Sequence, residues 1–489
     1  MRGAFACLFV LAMSLPAAQT PSARTLDIYV IDVDGGESTL FVSPAGESLL
    51  VDAGWPGFDG RDANRIAAVA AQAGVKQIDY LVVTHFHADH MGGVAQLAAR
   101  LPIRHFIDHG ADVQTGDRAA AAFQPYAALR SHGSHVEARP GMTIPIAGVT
   151  ARIIAAGGAV LAAPLSGAGQ PNPRCAAFKF QDMVPGQEAT RAEDGRSVST
   201  SITFGQFRTV IMGDLGWNLE HDVVCPNNNV GTVDLYLVSH HGAETSGSEA
   251  FVYALHPRVA VMNNGAAKGG AVQTFQILRQ SPGLEDLWQN HYSIAAGDNN
   301  RAEPFIANLE PHSLSAQGGN GQPVAPNHMG AANWTKIAAS ADGSFTVTNN
   351  RSGFSKRYNA AGTPSQQPAS SATLDYEFFK AKVQPIFLAK RPGHARCIAC
   401  HGSGTPLRLQ PLSAGSTNWN EEESRKNFDA VRRVVVPGSV RSRLLVHPLA
   451  EEAGGDFYHN GGKHWNSQND LEWQTLKSWV LGQTASAGR

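Results

Sequence analysis

The stretch Thr84-His85-Phe86-His87-Ala88-Asp89-His90-Met91-Gly92-Gly93 decides how this chain folds. It directly follows the apolar run 80–83, which has the composition of a buried strand. In extended backbone His85 and His87 point to the same side, because side chains alternate with a period of two. The acidic residue and the histidine that follow come where the chain turns into a predicted helix at 94–100. The loop therefore offers two imidazoles to one metal, and a carboxylate with an imidazole to a neighbouring metal.

A polar loop carrying several surface histidines is the alternative interpretation of this stretch. Four donor side chains within six residues, directly behind a buried strand, disfavour it. Gly92 and Gly93 also allow the backbone to approach closely. Nitrogen and oxygen donors of this kind suit zinc, manganese or iron, so the stretch predicts a metal site.

Two further predicted strands end in residues that can bind a metal. The strand 207–212 leads into Gly213-Asp214, and the strand 233–239 leads into His240-His241-Gly242. A single acidic residue or histidine pair at a strand end is most often a turn residue or a buried, hydrogen-bonded group. In layered α/β folds, however, sites collect at strand ends, so we expect these segments to face one cleft. Asp52 closes another strand, and both a direct role and a role as a buried hydrogen-bond acceptor are open for it.

The pattern around these motifs predicts a mixed α/β layer architecture. Short apolar segments separated by turns predict an antiparallel meander near residue 26, and a segment with helical spacing (61–73) then precedes a β-branched strand (78–83). No repeat of fixed period is visible, which disfavours a solenoid or propeller. Further strands are predicted at 149–154, 198–204, 207–212, 233–238, 259–262 and 345–349.

The run His85-x-His87-x-Asp89-His90 with Gly92-Gly93, the later Gly213-Asp214 and the pair His240-His241 before Gly242 resemble the metallo-β-lactamase superfamily. The particular form is similar to the metallo-hydrolase domain of the ComEC competence protein, and the resemblance covers residues 26–265. It implies an αββα sandwich in a hydrolase with one or two metal ions, usually zinc. The shorter segments that support it are Ile31-Asp32-Val33, Leu50-Val51-Asp52-Ala53-Gly54 and Ser197-Val198.

The same resemblance implies a division of roles among the motif residues. Metal-bound hydroxide is expected to attack a carbonyl or phosphoryl centre. Asp214 suits bridging two metals, and Asp89 suits holding the attacking water. Either His240 or His241 is the ligand, and the other one, taken to be His241, is expected to give a proton to the leaving group. The implied metal ligands are His85, His87, Asp89, His90, Asp214 and His240.

One departure from the family pattern concerns the site that contains His85 and His87. Members with two complete sites take a further histidine from a strand before the Gly-Asp pair, but 149–156 contains none. His132 and His135 lie just upstream, in a stretch typical of a solvated loop. We therefore expect this site to be incomplete and the other to be better supplied. Beyond the strand 259–262, three polar residues are open to a role either in positioning a substrate or in forming turns: Asn263, Asn264 and Lys268.

A second motif lies in the last quarter of the chain. Cys397-Ile398-Ala399-Cys400-His401 is the C-x-x-C-H attachment sequence for c-type haem, in which Cys397 and Cys400 form thioethers and His401 binds the iron. A redox dithiol and half of a zinc ribbon are the alternatives, but a ribbon needs a second cysteine pair, which the sequence lacks. The flanking segments 376–388 and 471–480 resemble a small all-α cytochrome c domain of the kind appended to secreted bacterial enzymes.

The sixth iron position is expected to hold a histidine or to be empty, because no methionine follows Met329. The candidates are His447, His459 and His464. His459 is preferred, because the flanking Asn460-Gly461-Gly462 allows the backbone to approach the haem. An imidazole in place of a thioether is expected to lower the reduction potential.

Composition and the N-terminus bear on compartment and partners. Residues 1–23 have the charged start, short apolar centre and small-residue end of a secretory signal, so we expect export to the periplasm or beyond without stable membrane insertion.

Lys and Arg number 39 against 41 Asp and Glu, which excludes the basic field of an extensive DNA binder. Nucleic acid is thus expected only as a substrate. Cys175 and Cys225 are the remaining candidates for a disulfide, which their spacing does not decide.

The sequence predicts a signal segment (1–23), a metallo-β-lactamase-like hydrolase domain (24–360), a linker (361–373) and a cytochrome c-like haem domain (374–489). The leading hypothesis is an exported metal-dependent hydrolase of phosphodiesters, fused to a mono-haem c-type domain that exchanges electrons with a redox partner protein. Lactones and esters stay open as substrates. Another alternative is an electron-transfer haem protein whose hydrolase-like domain is a binding module. An iron site doing redox chemistry ranks last, because no flavin-binding domain is apparent.

Overall fold

The computed structural model describes residues 24–309, 332–361, 374–402, 407–440, 442–455, 459 and 461–483. The predicted signal segment and all of the predicted linker except residue 361 lie outside the described residues. Within the described ranges, no helix combines the length and the apolar composition that crossing a bilayer requires.

The described strands form two large sheets and one two-stranded pair. In chain order they are β1 (Leu26–Ile31), β2 (Thr39–Val42), β3 (Ser48–Val51), β4 (Ile78–Val82), β5 (Ile103–Asp108), β6 (Ser134–Glu137), β7 (Thr143–Ile144), β8 (Thr150–Ala156), β9 (Ala159–Val160), β10 (Gln170–Pro171), β11 (Ser199–Phe204), β12 (Phe207–Ile211), β13 (Asn227–Asn228), β14 (Leu235–Leu237), β15 (Val259–Met262), β16 (Asp286–His291), β17 (Ile306–Asn308), β18 (Trp334–Ala339), β19 (Phe345–Asn349) and β20 (Ser355–Tyr358). The first sheet has the order β20-β19-β18-β1-β2-β3-β4-β5-β6, and the second has the order β17-β16-β15-β14-β12-β11-β8-β7, with β9 paired to β8.

Some of the described α-helices belong to the part of the chain that forms these sheets, and the others belong to the C-terminal region. They are α1 (Arg61–Gln72), α2 (Ala88–Met91), α3 (Val94–Ala98), α4 (Asp117–His132), α5 (Glu188–Asp194), α6 (Trp217–Val224), α7 (Glu249–Leu255), α8 (Val272–Gln280), α9 (Tyr376–Phe378), α10 (Gln384–Leu388), α11 (Cys397–His401), α12 (Glu421–Arg432), α13 (Arg443–Val446) and α14 (Leu471–Val480). A π-helical turn, Phe379–Val383, joins α9 to α10.

The two large sheets pack face to face through an apolar core that both contribute to. Phe41 and Val51 come from the first sheet, and Ile202 and Leu235 come from the second. Helices α1, α3 and α4 cover the outer face of the first sheet, and α6, α7 and α8 cover that of the second. Each central strand is therefore buried on both faces, which explains its continuous apolar run. The predicted mixed α/β layer architecture is confirmed, in the order helix, sheet, sheet, helix.

The predicted elements are found with ends that differ by a few residues. The predicted strand 78–83 is β4, and the predicted helix 61–73 is α1, which buries Ile66, Val69 and Ala70 at helical spacing. The predicted strand 233–238 is found as the shorter strand β14. Cys175 and Cys225 form a disulfide, so the pairing that the sequence left undecided is present.

The described residues between 374 and 483 pack around an apolar cluster of their own, which includes Phe379, Trp473 and Trp479. Apart from one bridge between Leu449 and Trp465, the described residues of this region form helices and turns. The region also contacts the sandwich, since the backbone N–H of Glu303 donates to Arg433 O at 2.6 Å.

Candidate functional site

Four side chains from both sheets converge at one end of the sandwich. Asp89 and His90 follow β4, whereas Asp214 and His241 follow β12 and β14, and one donor atom of each lies within 4.8 Å of the others. His90 Nε2 is 3.2 Å from Asp89 Oδ2 and 3.3 Å from Asp214 Oδ2. His241 Nε2 is 3.2 Å from Asp89 Oδ2 and 3.6 Å from Asp214 Oδ2. We call these four residues the inner cluster. The residues at the ends of β4, β12 and β14 do come together, as expected.

A second group, the outer cluster, consists of His85, His87 and Asp194. The ring nitrogens His85 Nε2 and His87 Nδ1 are 2.9 Å apart. Asp194 Oδ1 lies 3.1 Å from His87 Nδ1 and 3.8 Å from His85 Nε2. His85 Nε2 is also 3.9 Å from Asp214 Oδ2, so the two clusters adjoin at Asp214.

Asp194 corrects the expectation that the site of His85 and His87 lacks a third donor. It ends α5, just before the Ser197-Val198 that leads into β11, and it supplies a carboxylate in place of a histidine. No sequence pattern marks Asp194, because it lies at the end of a helix and not at the end of a strand. His135 does not substitute, since its Nε2 is held 3.0 Å from Asp108 Oδ1.

The consecutive residues His240 and His241 lie in different groups of donor side chains. His240 Nε2 lies 3.2 Å from Asp214 Oδ2 and groups with Asp194, whereas His241 belongs to the inner cluster. Both residues have positive φ, at 50° and 53°, a conformation that costs about 1–2 kcal/mol for a residue with a side chain. This backbone turns two neighbouring imidazoles towards one carboxylate, which regular strand geometry does not allow.

Hydrogen bonds at Nδ1, on the side of each ring away from the cluster, orient the imidazoles of His90 and His241. Asp52 Oδ2 accepts from His90 Nδ1 at 2.7 Å, and the same carboxylate accepts from the backbone N–H and the hydroxyl of Thr84. His241 Nδ1 donates to Asn263 O at 3.2 Å. Each bond leaves the Nε2 lone pair directed to the cluster, as in carboxylate–histidine–metal triads. The sequence left two roles open for Asp52, a direct one and one as a buried hydrogen-bond acceptor. In the structure Asp52 is a buried hydrogen-bond acceptor.

Glu193 supports the outer cluster, a role that the sequence did not indicate. Its Oε1 accepts from the backbone N–H of Phe86 at 2.7 Å and from His109 Nε2 at 2.8 Å. Because Phe86 lies between His85 and His87, this bond fixes the segment that carries both imidazoles.

The buried carboxylates and imidazoles of the two clusters shift one another's pKa values. Burial opposes charge on Asp89, but Lys268 and His90 hold the pKa of Asp89 well below its usual value. Burial also opposes charge on His90, but the carboxylates of Asp214, Asp89 and Asp52 raise the pKa of His90 well above the usual value. In the outer cluster, burial and the neighbouring imidazoles keep the pKa of His85 well below its usual range, so this ring is neutral and can act as a ligand.

The donor set fits a divalent metal. Asp194 Oδ1 is buried, and the groups nearest to it are ring nitrogens of His87 and His85, at 3.1 and 3.8 Å, which is the grouping of carboxylate and imidazole donors that holds a divalent cation. Imidazole and carboxylate donors together suit zinc or iron. His85, His87 and Asp194 would hold one ion, and the inner cluster would hold another.

Residues 31–262 match the family model described as Metallo-beta-lactamase superfamily. This part of the chain is a metallo-beta-lactamase superfamily domain. The domain has the fold of metal-dependent hydrolases, and a divalent metal is implied by that fold together with the two clusters. No curated protein matches the chain.

Several solved structures resemble this chain at low identity. The metallo-beta-lactamase fold protein YhfI from Bacillus subtilis is 13% identical, over 54% of this chain and 96% of that chain, with a TM-score of 0.33. A mutant metallo-beta-lactamase from Cronobacter sakazakii is 18% identical, over 43% and 75%, with a TM-score of 0.26. CmlA, a diiron beta-hydroxylase from Streptomyces venezuelae, is 15% identical, over 50% and 46%, with a TM-score of 0.28. Likeness at this level says nothing about activity.

In the C-terminal region, the C-x-x-C-H stretch is the helix α11. Cys397 is partly buried and Cys400 is exposed, and neither forms a disulfide. His401 Nδ1 donates to Leu407 O at 3.0 Å, and His459 Nδ1 donates to Gly462 O at 2.6 Å. The rings of His401 and His459 are nearly parallel, at 19°, with centres 6.3 Å apart. The other two candidates lie nearby, His447 against His459 at 4.8 Å and His464 against His394 at 4.7 Å between ring centres.

Proposed function

We propose that the sandwich domain is an exported hydrolase that cleaves phosphodiesters. The observation that carries this proposal is the pair of adjoining donor clusters that meet at Asp214. Residues of two adjoining clusters could hold one ion each, and two neighbouring cation sites would suit in-line displacement at phosphorus, where the attacking and the leaving oxygen both need stabilisation. The resemblance to ComEC-like hydrolases favours the same substrate class. The disulfide between Cys175 and Cys225 supports an oxidising compartment and hence export.

The chain's residues divide the work of binding and orientation. When bound, a divalent metal lowers the pKa of a coordinated water and stabilises negative charge on the substrate. Asp52 and the carbonyl of Asn263 keep the imidazoles of His90 and His241 in the tautomer that binds a metal. Asp89 is suited to hold the attacking water, because its carboxylate faces the centre of the inner cluster.

The geometry favours dividing the roles of the histidine pair differently from the sequence-based expectation. His241 is buried, at 1% side-chain exposure, among Asp89, His90 and Asp214, and we assign it as a ligand. His240 is 18% exposed, and its Nδ1 lies 3.1 Å from the hydroxyl oxygen of Thr245. A histidine at the open side of the site is placed to give a proton to the leaving group, so we assign that step to His240.

A direct assay tests this function. The full chain, loaded with zinc or manganese, is given bis(p-nitrophenyl) phosphate, and Asp214→Asn is compared with the exposed control Asp182→Asn. Turnover that is lost only in Asp214→Asn supports the proposal. Absence of turnover in protein with measured bound metal overturns the phosphodiester assignment, and p-nitrophenyl esters and lactones are then the next substrates.

For the C-terminal region we propose covalent binding of one haem through Cys397 and Cys400, with His401 and His459 as axial ligands. Neither thiol of this helix, which ends in His401, is in a disulfide, and an open groove of about 560 Å³ is lined by residues 390–394, of which Arg391 contacts Cys397. The Nδ1 bonds of both histidines select the tautomer with a lone pair on Nε2, as an iron ligand needs. Such a domain would pass electrons to or from a redox partner protein.

Absorption spectroscopy tests the haem proposal. The full chain, produced with a haem-attachment system, is expected to keep its haem after denaturation, and Cys400→Ser is expected to lose covalent attachment. His459→Ala is expected to convert a low-spin spectrum to a high-spin one, whereas His447→Ala leaves it low-spin. Protein without covalent haem overturns the proposal, and a low-spin His459→Ala overturns the choice of His459.

A further inference from the structure

Lys268 is a cation at the open side of the inner cluster, outside the set of ligands. Its Nζ contacts Asp89 Oδ2. The same nitrogen lies 5.0 Å from the centre of the Trp55 ring, close enough for a cation–π interaction. The side chain is 38% exposed, so the ammonium group borders both the cluster and solvent.

The backbone around Lys268 is fixed against the segment that carries the histidine pair. Gly265 N donates to Lys268 O at 2.9 Å, and Gly270 N donates to His241 O at 3.0 Å. A Cβ on Gly269, which has a φ of 72°, would lie 2.1 Å from His241 O, so the two segments are in direct backbone contact. Lys268 is thus held beside the candidate ligands by close packing, and its position is not that of a free surface lysine.

An ammonium group at this position needs an anionic partner when Asp89 binds a cation. Asp89 then shares its negative charge with that cation, and the cation and Lys268 repel each other. A charged substrate group restores the balance through a charge-assisted hydrogen bond. The indole Nε1 of Trp55 is buried and, within the described ranges, has no hydrogen-bond partner, so a second N–H donor lies on the ring that Lys268 contacts.

We propose that Lys268 binds the anionic group of the substrate, a non-bridging phosphate oxygen in a phosphodiester, and thereby selects anionic over neutral substrates. This inference rests on the proposed hydrolase function and adds a specificity-determining residue to it. A neutral ester offers no charge to Lys268, so this side chain gives it no binding advantage.

Two substrates with the same leaving group test the proposal. Lys268→Met, Lys268→Arg and the exposed control Lys76→Met are assayed in the full, manganese-loaded chain on bis(p-nitrophenyl) phosphate and on p-nitrophenyl acetate. Lys268→Met is expected to raise KM for the diester roughly tenfold or more, with a smaller change in kcat and no change for the ester. Lys268→Arg is expected to keep most of the diester binding. Equal losses on both substrates overturn the proposal.

A binding measurement separates failure of this inference from failure of the proposed function. If the wild-type protein hydrolyses neither substrate, calorimetry with inorganic phosphate on metal-loaded protein replaces the kinetic test. Phosphate binding that is roughly tenfold weaker in Lys268→Met supports an anion site at Lys268. Equal phosphate affinity overturns it. Loss of bound metal from Lys268→Met also overturns it, since Lys268 would then act on the metal site alone.

Discussion

Asp194 Oδ1 lies 3.1 Å from Nδ1 of His87, so a carboxylate is the third donor of the outer cluster. A carboxylate adds a negative charge to the outer cluster, which carries none from His85 and His87 when both are neutral. Oxygen donors favour harder cations, so this cluster is suited to manganese or iron as well as to zinc.

Asp194→Asn is therefore expected to remove one metal ion per chain. The amide keeps the shape of the side chain but takes away the charge, while Asp89, His90 and His241 still hold the inner ion. Elemental analysis after gel filtration measures this, with the exposed Asp182→Asn as the control. Full metal content in Asp194→Asn would remove this residue from the ligand set.

Asp52→Asn is expected to weaken metal binding roughly 10- to 100-fold, because the acceptor that orients His90 is lost. Thr84→Val removes only one of the donors to Asp52 and leaves its bond to His90 Nδ1, so a smaller loss is expected. Competition with a chromogenic chelator gives both affinities. An unchanged affinity in Asp52→Asn would show that the tautomer of His90 is fixed by other contacts.

The two members of the histidine pair are expected to behave differently. His241→Gln lowers the metal content, because it removes a ligand of the inner cluster. His240→Gln keeps the metal and lowers kcat roughly 100-fold, because it removes the proton donor for the leaving group. Metal content and kcat, measured on the same samples, distinguish the two roles. The reverse result would make His240 the ligand and His241 the acid.

A buried ion pair between the sheets makes stability depend on pH. His291 Nε2, at the end of β16, lies 2.7 Å from Asp32 Oδ1, just after β1. Burial opposes charge on each group, but their mutual attraction raises the pKa of His291 and lowers that of Asp32. The contribution of His291 is fully present below its usual pKa of 6.5 and is lost as pH rises through the raised value. That of Asp32 is present above its usual pKa of 3.8 and is lost as pH falls through the lowered value.

The free energy of unfolding is thus expected to be highest in mildly acidic solution and to fall as the pH becomes alkaline. In urea titrations between about pH 6 and about pH 9, His291→Gln is expected to flatten this decrease. The stability that the wild type loses through His291 is about 1.4 kcal/mol multiplied by the difference between the pKa of His291 in the folded and in the unfolded chain. His132→Gln, at the solvent-facing end of α4, is the matched control. Parallel pH profiles for wild type and His291→Gln would contradict the assignment.

The disulfide between Cys175 and Cys225 is expected to stabilise the sandwich by about 4 kcal/mol, because it closes a loop with a sequence separation of 50 residues. Denaturant unfolding of Cys175→Ser with Cys225→Ser, compared with the oxidised wild type, measures this. Adding reductant to the wild type is expected to give the same loss. Equal stability of the three samples would show that the bond is not formed in solution.

The sequence by itself determined the layered α/β architecture, the segment from His85 to His90 and the strand-end positions of Asp214 and the histidine pair. These features are local, because the alternation of side chains along a strand and the end of a strand are both recognised from a few consecutive residues. Only the tertiary structure decided that Asp194 joins His87 and that Lys268 reaches Asp89 across 179 positions. It also decided that His240 and His241 lie in different groups of donor side chains, through backbone at positive φ. Contacts of this kind depend on sheet order, and on loops packed against one another, which no local pattern encodes.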